Sequence, residues 1–173
     1  MDVNDQPHSR LLEAHGSLVW RTLCRLLRAG DDSVEDCFQE TFVEFLRHAK
    51  QTAVERPAAL LVRIATRRAI DRIRKRSADR NRLQSLDEAD AAKVIDPSLA
   101  TMGEELAEAL RMALFTLPEQ QSAVFVMTQL EQMPHEDVAE ALGVSLNHVA
   151  VLLFRARATL QVKLKDVIAV QRR

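Results

Sequence analysis

Residues 57–82 read PAALLVRIATRRAIDRIRKRSADRNR. Leu60, Leu61, Ile64, Ala65, Ala69 and Ile73 recur at three- and four-residue steps, the period of a helix with one apolar face. Pro57 suits the first turn of such a helix, where its missing amide hydrogen costs nothing. Arg63, Arg67, Arg68, Arg72, Arg74, Lys75, Arg76, Arg80 and Arg82 cover the other side, opposed only by Asp71 and Asp79. A solvated face ordinarily mixes signs and gains small pairings four residues apart. Here the guanidinium groups crowd one another, and a polyanion laid along them relieves the repulsion. A phosphate backbone is the natural candidate. A soluble helix with a basic end satisfies the same letters, so this element alone leaves both readings open.

The surrounding chain has 173 residues, 47% of them apolar, with four glycines, five prolines and no tyrosine. An Ala-, Leu- and Arg-rich chain of this kind predicts an all-α fold, as one domain or two small ones. The net charge of −1 conceals an uneven distribution: +4 over residues 1–82, −6 over 83–108 and +1 over 109–173. Cys24 and Cys37 lack metal-ligand spacing and read as reduced, partly buried thiols of a cytosolic protein. The N-terminal MDVNDQPHSR has neither the basic nor the apolar region of a signal peptide. No apolar run approaches membrane-spanning length.

Working outward, Ser9 to Ala29 predicts a first helix, buried through Leu11, Leu12, His15, Leu18, Val19, Leu23, Leu26 and Leu27 and ended by Gly30. A second helix follows, with Asp32 and Glu35, or Ser33 and Asp36 one residue on, as its capping frame. Val34, Phe38, Phe42, Phe45 and Leu46 form its apolar stripe. Asp36 and its neighbours favour the positive end of the helix dipole, but Glu40 and Glu44 lie too far along for that account. His48 to Arg56 is a short polar connection into the basic helix. From Leu83 to Gly103 no period holds, and an acidic linker is expected there.

Beyond it, Glu104–Phe115 and Glu119–Glu131 predict two helices, with Pro118 at a first-turn position of the second. Val138, Ala139 and Leu142 then pack, Gly143 permits a tight turn, Val144 plugs it and Ser145 caps a longer helix. That helix carries Leu146, Val149, Leu153, Ala156, Leu160 and Leu164. Short helix, glycine turn and longer helix together are the signature of a helix-turn-helix. No nucleophile–base pair, phosphate-cradling glycine loop or metal cluster suggests an enzyme, and no cofactor is expected. His8, His48 and His135 read as surface residues.

Two helical units joined by an acidic linker resemble the extracytoplasmic-function sigma factors of bacterial RNA polymerase. Asp36-Cys37-Phe38-Gln39-Glu40-Thr41-Phe42 resembles the acidic segment of that family's region two, and Ile64-Ala65 with Asp71 and the following arginines its promoter-facing helix. Leu117-Pro118-Glu119-Gln120-Gln121 is similar to the opening of region four, Glu136 to Ser145 to its helix-turn-helix, and Arg155-Ala156-Arg157 to its closing motif. The resemblance implies a region-two domain over residues 1–82, a flexible linker over 83–103 and a region-four domain over 104–173. It also implies that Asp36, Gln39, Glu40 and Phe42 face the clamp helices of the polymerase β′ subunit, with the β subunit as a further contact. Lys50, Arg56, Arg63, Arg67, Arg68, Asp71, Arg72, Arg74, Lys75 and Arg76 then line the melted minus-ten strand, and a pocket in the connection takes an extruded base. Ser145, Asn147, His148, Arg155 and Arg157 belong to the part that meets the minus-thirty-five element. An anti-sigma partner is implied on the same ground, and membrane insertion is not.

Several positions depart from the family pattern. Leu60 stands where an aromatic is usual and Arg67 where an Asn is usual. His148, Ala150, Val151 and Leu152 replace a common Thr, Lys, Ser and Arg. Val151 and Leu152 lie off the apolar stripe and are expected to be at least partly exposed. This predicts weak reading of the upstream element and a protein-binding role for part of that face. A polymerase-independent helix-turn-helix regulator and a sigma-like protein adaptor are the competing readings.

Overall fold

The computed structural model describes residues 7–28, 30–84 and 102–171. They form α1 (Pro7–Leu27), α2 (Ser33–Ala49), α3 (Pro57–Gln84), α4 (Met102–Phe115), α5 (Glu119–Phe125), α6 (His135–Leu142) and α7 (Leu146–Gln171), with no strand among the described residues. The all-α expectation is met. Most of the linker predicted over residues 83–103 lies outside the described residues, and its edges, 83–84 and 102–103, continue α3 and α4 as helix.

The basic helix α3 sits at the centre. α1 and α2 pack on it, and so do α4, α5 and α6 from the C-terminal half. The reason is a second buried row: besides the expected stripe, apolar Val62 and Ile70 and the polar Thr66 between them are buried at four-residue steps. In its first half α3 is therefore enclosed almost all round, as befits an interior helix rather than a surface one. One continuous buried cluster runs from Val19, Leu23 and Leu26 through Leu61 and Val62 to Leu117, Val126, Val138 and Val149. The two units suggested by the sequence thus share a core in this arrangement.

Local chemistry sets the helix ends. α1 stops at Leu27 because Arg28 turns into the left-handed region (φ 73°), two residues before Gly30. The cap of α2 is Asp31 rather than Asp32 or Ser33: its Oδ1 accepts hydrogen bonds from Ser33 N (2.9 Å) and Ser33 Oγ (2.7 Å), while Asp32 makes no side-chain cap bond. Pro118, with ψ 146°, precedes α5 instead of opening its first turn. The single helix expected over Glu119–Glu131 becomes α5 followed by a π-helical turn, Val126–Leu130. There Thr128 Oγ1 donates to Val124 O (2.7 Å), and Glu131 N reaches five residues back to Val126 O (3.0 Å). Hydroxyl competition for a main-chain carbonyl is a recognised cause of such bending.

The turn between α6 and α7 forms as expected. Gly143 is left-handed (φ 65°), Val144 N bonds Ala139 O (3.0 Å) and Gly143 N bonds Glu140 O (3.0 Å), the paired bonds of a Schellman motif. Ser145 Oγ then accepts from His148 N (3.2 Å), capping α7. Three expectations fail. Leu12 and Leu146, assigned to buried stripes, are exposed, and Leu152 is buried within the α7 packing face.

Candidate nucleic-acid interface

α2 and α3 run antiparallel, and their facing charges interlock. Asp36 lies 3.8 Å from Arg72, Glu40 meets Arg68 (3.0 Å) and Arg72 (3.4 Å), and Glu44 meets Arg68 (2.7 Å) and Arg67. The four-residue spacing of the carboxylates puts them on one edge of α2, opposite the one- and four-residue steps of the arginines. Burial would lower the Arg68 pKa, but its hydrogen bonds to Glu44 and the nearby carboxylate charges outweigh that and raise it. The hydrogen bond from Arg76, aided by Ser33, holds the Asp31 carboxyl well below the usual carboxylate range. Its salt bridge with Arg76 ties α3 to the start of α2.

These pairs correct one expectation. The guanidinium groups of α3 are not left to repel one another in the absence of a polyanion, and Glu40 and Glu44 have partners inside the protein. Sequence periodicity shows which face of a helix carries charge, but not which face of a neighbour meets it.

Three other arginines reach the C-terminal half, Arg63 and Arg74 from α3 and Arg56 from the residue just before it. Arg56 contacts Asp137 (2.7 Å) and Glu140 (3.5 Å), Arg63 donates to Ala141 O (2.7 Å), and Arg74 donates to Phe115 O (3.2 Å) and Leu117 O (2.8 Å). Lys50, Asp71 and Lys75 are exposed. The side chains of Arg80 and Arg82 lie outside the described residues.

At the α2–α3 connection an open cleft of about 320 Å³ is lined by Glu44, Arg47, His48, Gln51, Leu60, Arg63, Ile64 and Arg67. It mixes guanidinium donors, a carboxylate and an apolar wall, a set suited to a planar polar ring. On the outer edge of α2, Gln39 and Val43 are exposed beside Asp36 and Glu40. Phe42 is half-buried, stacked at a tilt on Phe38 (5.0 Å), which meets the edge of the exposed Trp20 (5.5 Å). Cys37 is buried, which raises its thiol pKa, and no cluster of metal-ligating residues occurs among the described residues.

α6 and α7 cross at 97°, within the range of a helix-turn-helix. Asn147, His148, Ala150, Val151 and Arg155 are exposed on the outer side of α7, whereas Arg157 is drawn back to Gln129 Oε1 (2.7 Å). Arg21, Arg25, Glu131, Asp137 and Glu140, which join the two halves, were not singled out from the sequence. Val62 and Ile70, off the main stripe of α3, were the available signal that something covers it. No single helix among the described residues is long and apolar enough to cross a membrane.

Comparison with known proteins agrees with this layout. Residues 11–78 match the family model described as Sigma-70 region 2, and residues 107–160 the model described as Sigma-70, region 4. The chain is 30% identical over 154 residues to the ECF RNA polymerase sigma factor SigE of Mycolicibacterium smegmatis, covering 87% of this chain and 59% of that one. It is 25% identical over 155 residues to SigW, another such factor, of Bacillus subtilis, covering 84% and 82%. It therefore spans less than two thirds of the first relative and most of the second. Among solved structures, sigma factor RpoE in complex with the anti-sigma factor NepR from Bartonella quintana superposes with a TM-score of 0.58 at 19% identity, covering 94% of this chain and 98% of that one. CnrH in complex with the cytosolic domain of CnrY gives 0.56 at 21% identity, covering 92% and 88%. At these identities the two structures speak for the fold alone.

Proposed function

The chain belongs to the extracytoplasmic-function group of the sigma-70 family, and on that premise we propose that it binds core RNA polymerase and directs it to promoters. The observation that carries this reading is the order of parts: a charged α2–α3 pair with an open cleft, followed by a capped helix-turn-helix, each within a matching sigma-70 region. The proposed division is residues 1–82 for polymerase and minus-ten binding, 83–103 as linker and 104–173 for upstream recognition.

Asp36, Gln39, Glu40 and Phe42 present the polymerase-facing edge to the β′ clamp helices, and the β subunit meets region four. Lys50, Arg56, Arg63, Arg67, Arg68, Arg72, Arg74, Lys75 and Arg76 supply the positive track for the opened strand, with Asp71 at its margin. Arg67, Arg68, Arg72 and Arg76 also fix the helices to one another, so their loss acts on shape as well as on charge. The cleft at Gln51 and Arg67 receives an unstacked base. Ser145, Asn147, His148, Arg155 and Arg157 serve the upstream element. The protein makes no bonds itself and works where the polymerase is, in the cytoplasm. An anti-sigma factor is its proposed inhibitor, as membership of this family implies.

Run-off transcription with core polymerase and a genomic fragment library tests the reading, with discrete start sites as the expected result. Palindromic duplex binding without polymerase retention would instead establish an independent regulator. Polymerase retention without open-complex formation would establish an adaptor.

A second reading concerns α7, where Val151, Phe154 and Val162 are 43%, 74% and 77% exposed. Such an apolar face favours a protein partner over phosphate contacts, as does the absence of lysine at Ala150. Strong sequence-dependent upstream protection by the protein in footprinting would refute it.

A further inference from the structure

Six hydroxyl side chains are buried among the described residues, and five of them have partners. Thr22, Thr41 and Thr128 each donate to the carbonyl four residues back, at 2.9, 2.6 and 2.7 Å. Ser33 donates to Asp31 Oδ1 (2.7 Å) and Ser122 to Leu114 O (2.9 Å). Thr66, within α3, is the exception: its Oγ1 has no hydrogen-bond partner among the described residues. Bonding backwards is open to a helical threonine, and the other three take it. A buried hydroxyl that forgoes it is costly unless a guest meets it.

We infer that Thr66 is the inner end of a binding site for one small free oxyanion of the phosphate class. The inference goes beyond the sigma reading and does not depend on it.

Thr66 lines a cavity of about 140 Å³ whose other polar walls are Arg63, Arg67, Gln120 and Glu119. Arg63 stands three residues before Thr66 and Arg67 one after it, so two guanidinium groups flank the hydroxyl on one side of the helix. Arg63 uses Nη1 on the Ala141 carbonyl (2.7 Å), an uncharged partner, and Arg67 uses Nη2 on Glu44. A guanidinium carries several N–H donors in a planar fork, so each keeps donors for a guest. Gln120 adds an amide, and Ile70 and Leu142 are part of the apolar wall. Charge-assisted bonds gain strength against such a wall.

Size and charge narrow the guest. One water takes ~30 Å³ of liquid, so the cavity is several waters large and a single bridging water does not fill it. A tetrahedral ion with a water beside it suits the space, and a nucleoside does not. Glu119, exposed at the rim, selects among such ions. Its carboxylate repels a fully ionised guest but accepts a hydrogen bond from one that keeps a proton. Hydrogen phosphate keeps one at neutral pH and sulfate keeps none, so phosphate is favoured.

The full-length protein is titrated with inorganic phosphate, sulfate or deoxyadenosine monophosphate, with sodium chloride holding the ionic strength constant in a buffer free of all three. The readouts are the thermal unfolding midpoint and, for phosphate, the width of its phosphorus resonance. Wild type is expected to show a saturable rise in midpoint and a broadened resonance with phosphate, and a weaker response to sulfate. Thr66→Val keeps the shape and removes the unpaired hydroxyl, so without phosphate it should unfold no earlier than wild type. Its affinity for phosphate should fall about tenfold to a hundredfold, the worth of one hydrogen bond to a charged group. Gln120→Glu, at an exposed position, should keep the phosphate-free midpoint and lose the response. A wild type no more sensitive to phosphate than to chloride, an equal response in Thr66→Val, or sulfate bound as tightly as phosphate would overturn the inference. A Thr66-dependent response to the mononucleotide would give the site to a nucleotide's phosphate and overturn the free-ion assignment.

Discussion

Glu44 and Arg68 decide whether the α2 carboxylates exist to hold the fold or only to meet the polymerase. Arg68 Nε and Nη2 both donate to Glu44 Oε2, at 3.0 and 2.7 Å, and Nη1 donates to Glu40 Oε2 at 3.0 Å. The two side chains are 32% and 25% exposed, between a surface pair and a buried one. Exposed pairs are worth about 0.2–1 kcal/mol, and breaking a buried pair costs about 3–5 kcal/mol. A coupling of about 1–2 kcal/mol is therefore expected, discounted for the solvent that still reaches both groups.

The assay is a double-mutant cycle in the free protein, with Glu44→Gln, Arg68→Gln and the double variant followed by urea unfolding. Each single variant strands a half-buried charge, so the double variant should be less damaged than the sum. At about 2–4 °C per kcal/mol for a chain of this size, the coupling corresponds to a few degrees of Tm. Additivity within about 0.3–0.5 kcal/mol would refute the reasoning. Loss of polymerase binding by Glu44→Gln with no change in stability would add that carboxylate to the polymerase-facing set.

Other consequences follow from single residues. Asp31→Ala removes the α2 cap and the Arg76 tie, and a loss of about 1–2 kcal/mol is expected at neutral pH. Because the folded pKa of Asp31 is depressed, that contribution is full above about pH 4 and is lost as the pH falls through the folded value. Wild-type and variant unfolding midpoints should therefore converge in acid. Gly143→Ala meets no neighbour within 4 Å but must adopt φ 65°, so about 1–2 kcal/mol of backbone cost is expected in urea unfolding. Ala150→Lys, on the exposed side of α7, should steepen the salt dependence of duplex binding by about 0.9 in log–log slope if that face tracks phosphate. An unchanged slope would count for a protein partner there.

Elements governed by short-range chemistry were legible in the sequence. The α3 stripe, the Gly143 turn and the Ser145 cap depend on residues within one helical turn of each other, and all three form. The α2 cap was missed by one residue because Asp31, Asp32 and Ser33 all offer oxygens at that end, and the choice was made by Arg76, far away in sequence. The π turn was hidden because it depends on the Thr128 hydroxyl bonding backwards, which no periodicity records. Leu152 was misplaced because a narrow stripe was assumed, whereas α7 buries Val149, Leu152, Leu153 and Ala156 together. The sequence reading separates an acidic α2 edge from a basic α3 and gives each to a different outside partner. The pairing that organises it joins residues a full helix or a full domain apart, and charge complementarity between elements is invisible until they are placed.

That pairing sorts the arginines at and along the basic helix into two kinds. Arg67, Arg68, Arg72 and Arg76 bind carboxylates of region two itself, so their partners stay with them whether or not region four is docked. Arg56, Arg63 and Arg74 bind region four instead. On the proposed DNA-binding role, a phosphate has only region-four oxygens to displace at the second kind, whereas it must break a pair internal to region two to recruit the first. On that proposed role, the second kind and the exposed Lys50 and Lys75 would offer a track of five cations. With about 0.7 in salt slope per phosphate on a single strand, such a track gives a slope near ~3.5. A total of nine positive charges along residues 57–82 overstates what DNA can use, since part of that charge is already committed to holding α2 in place.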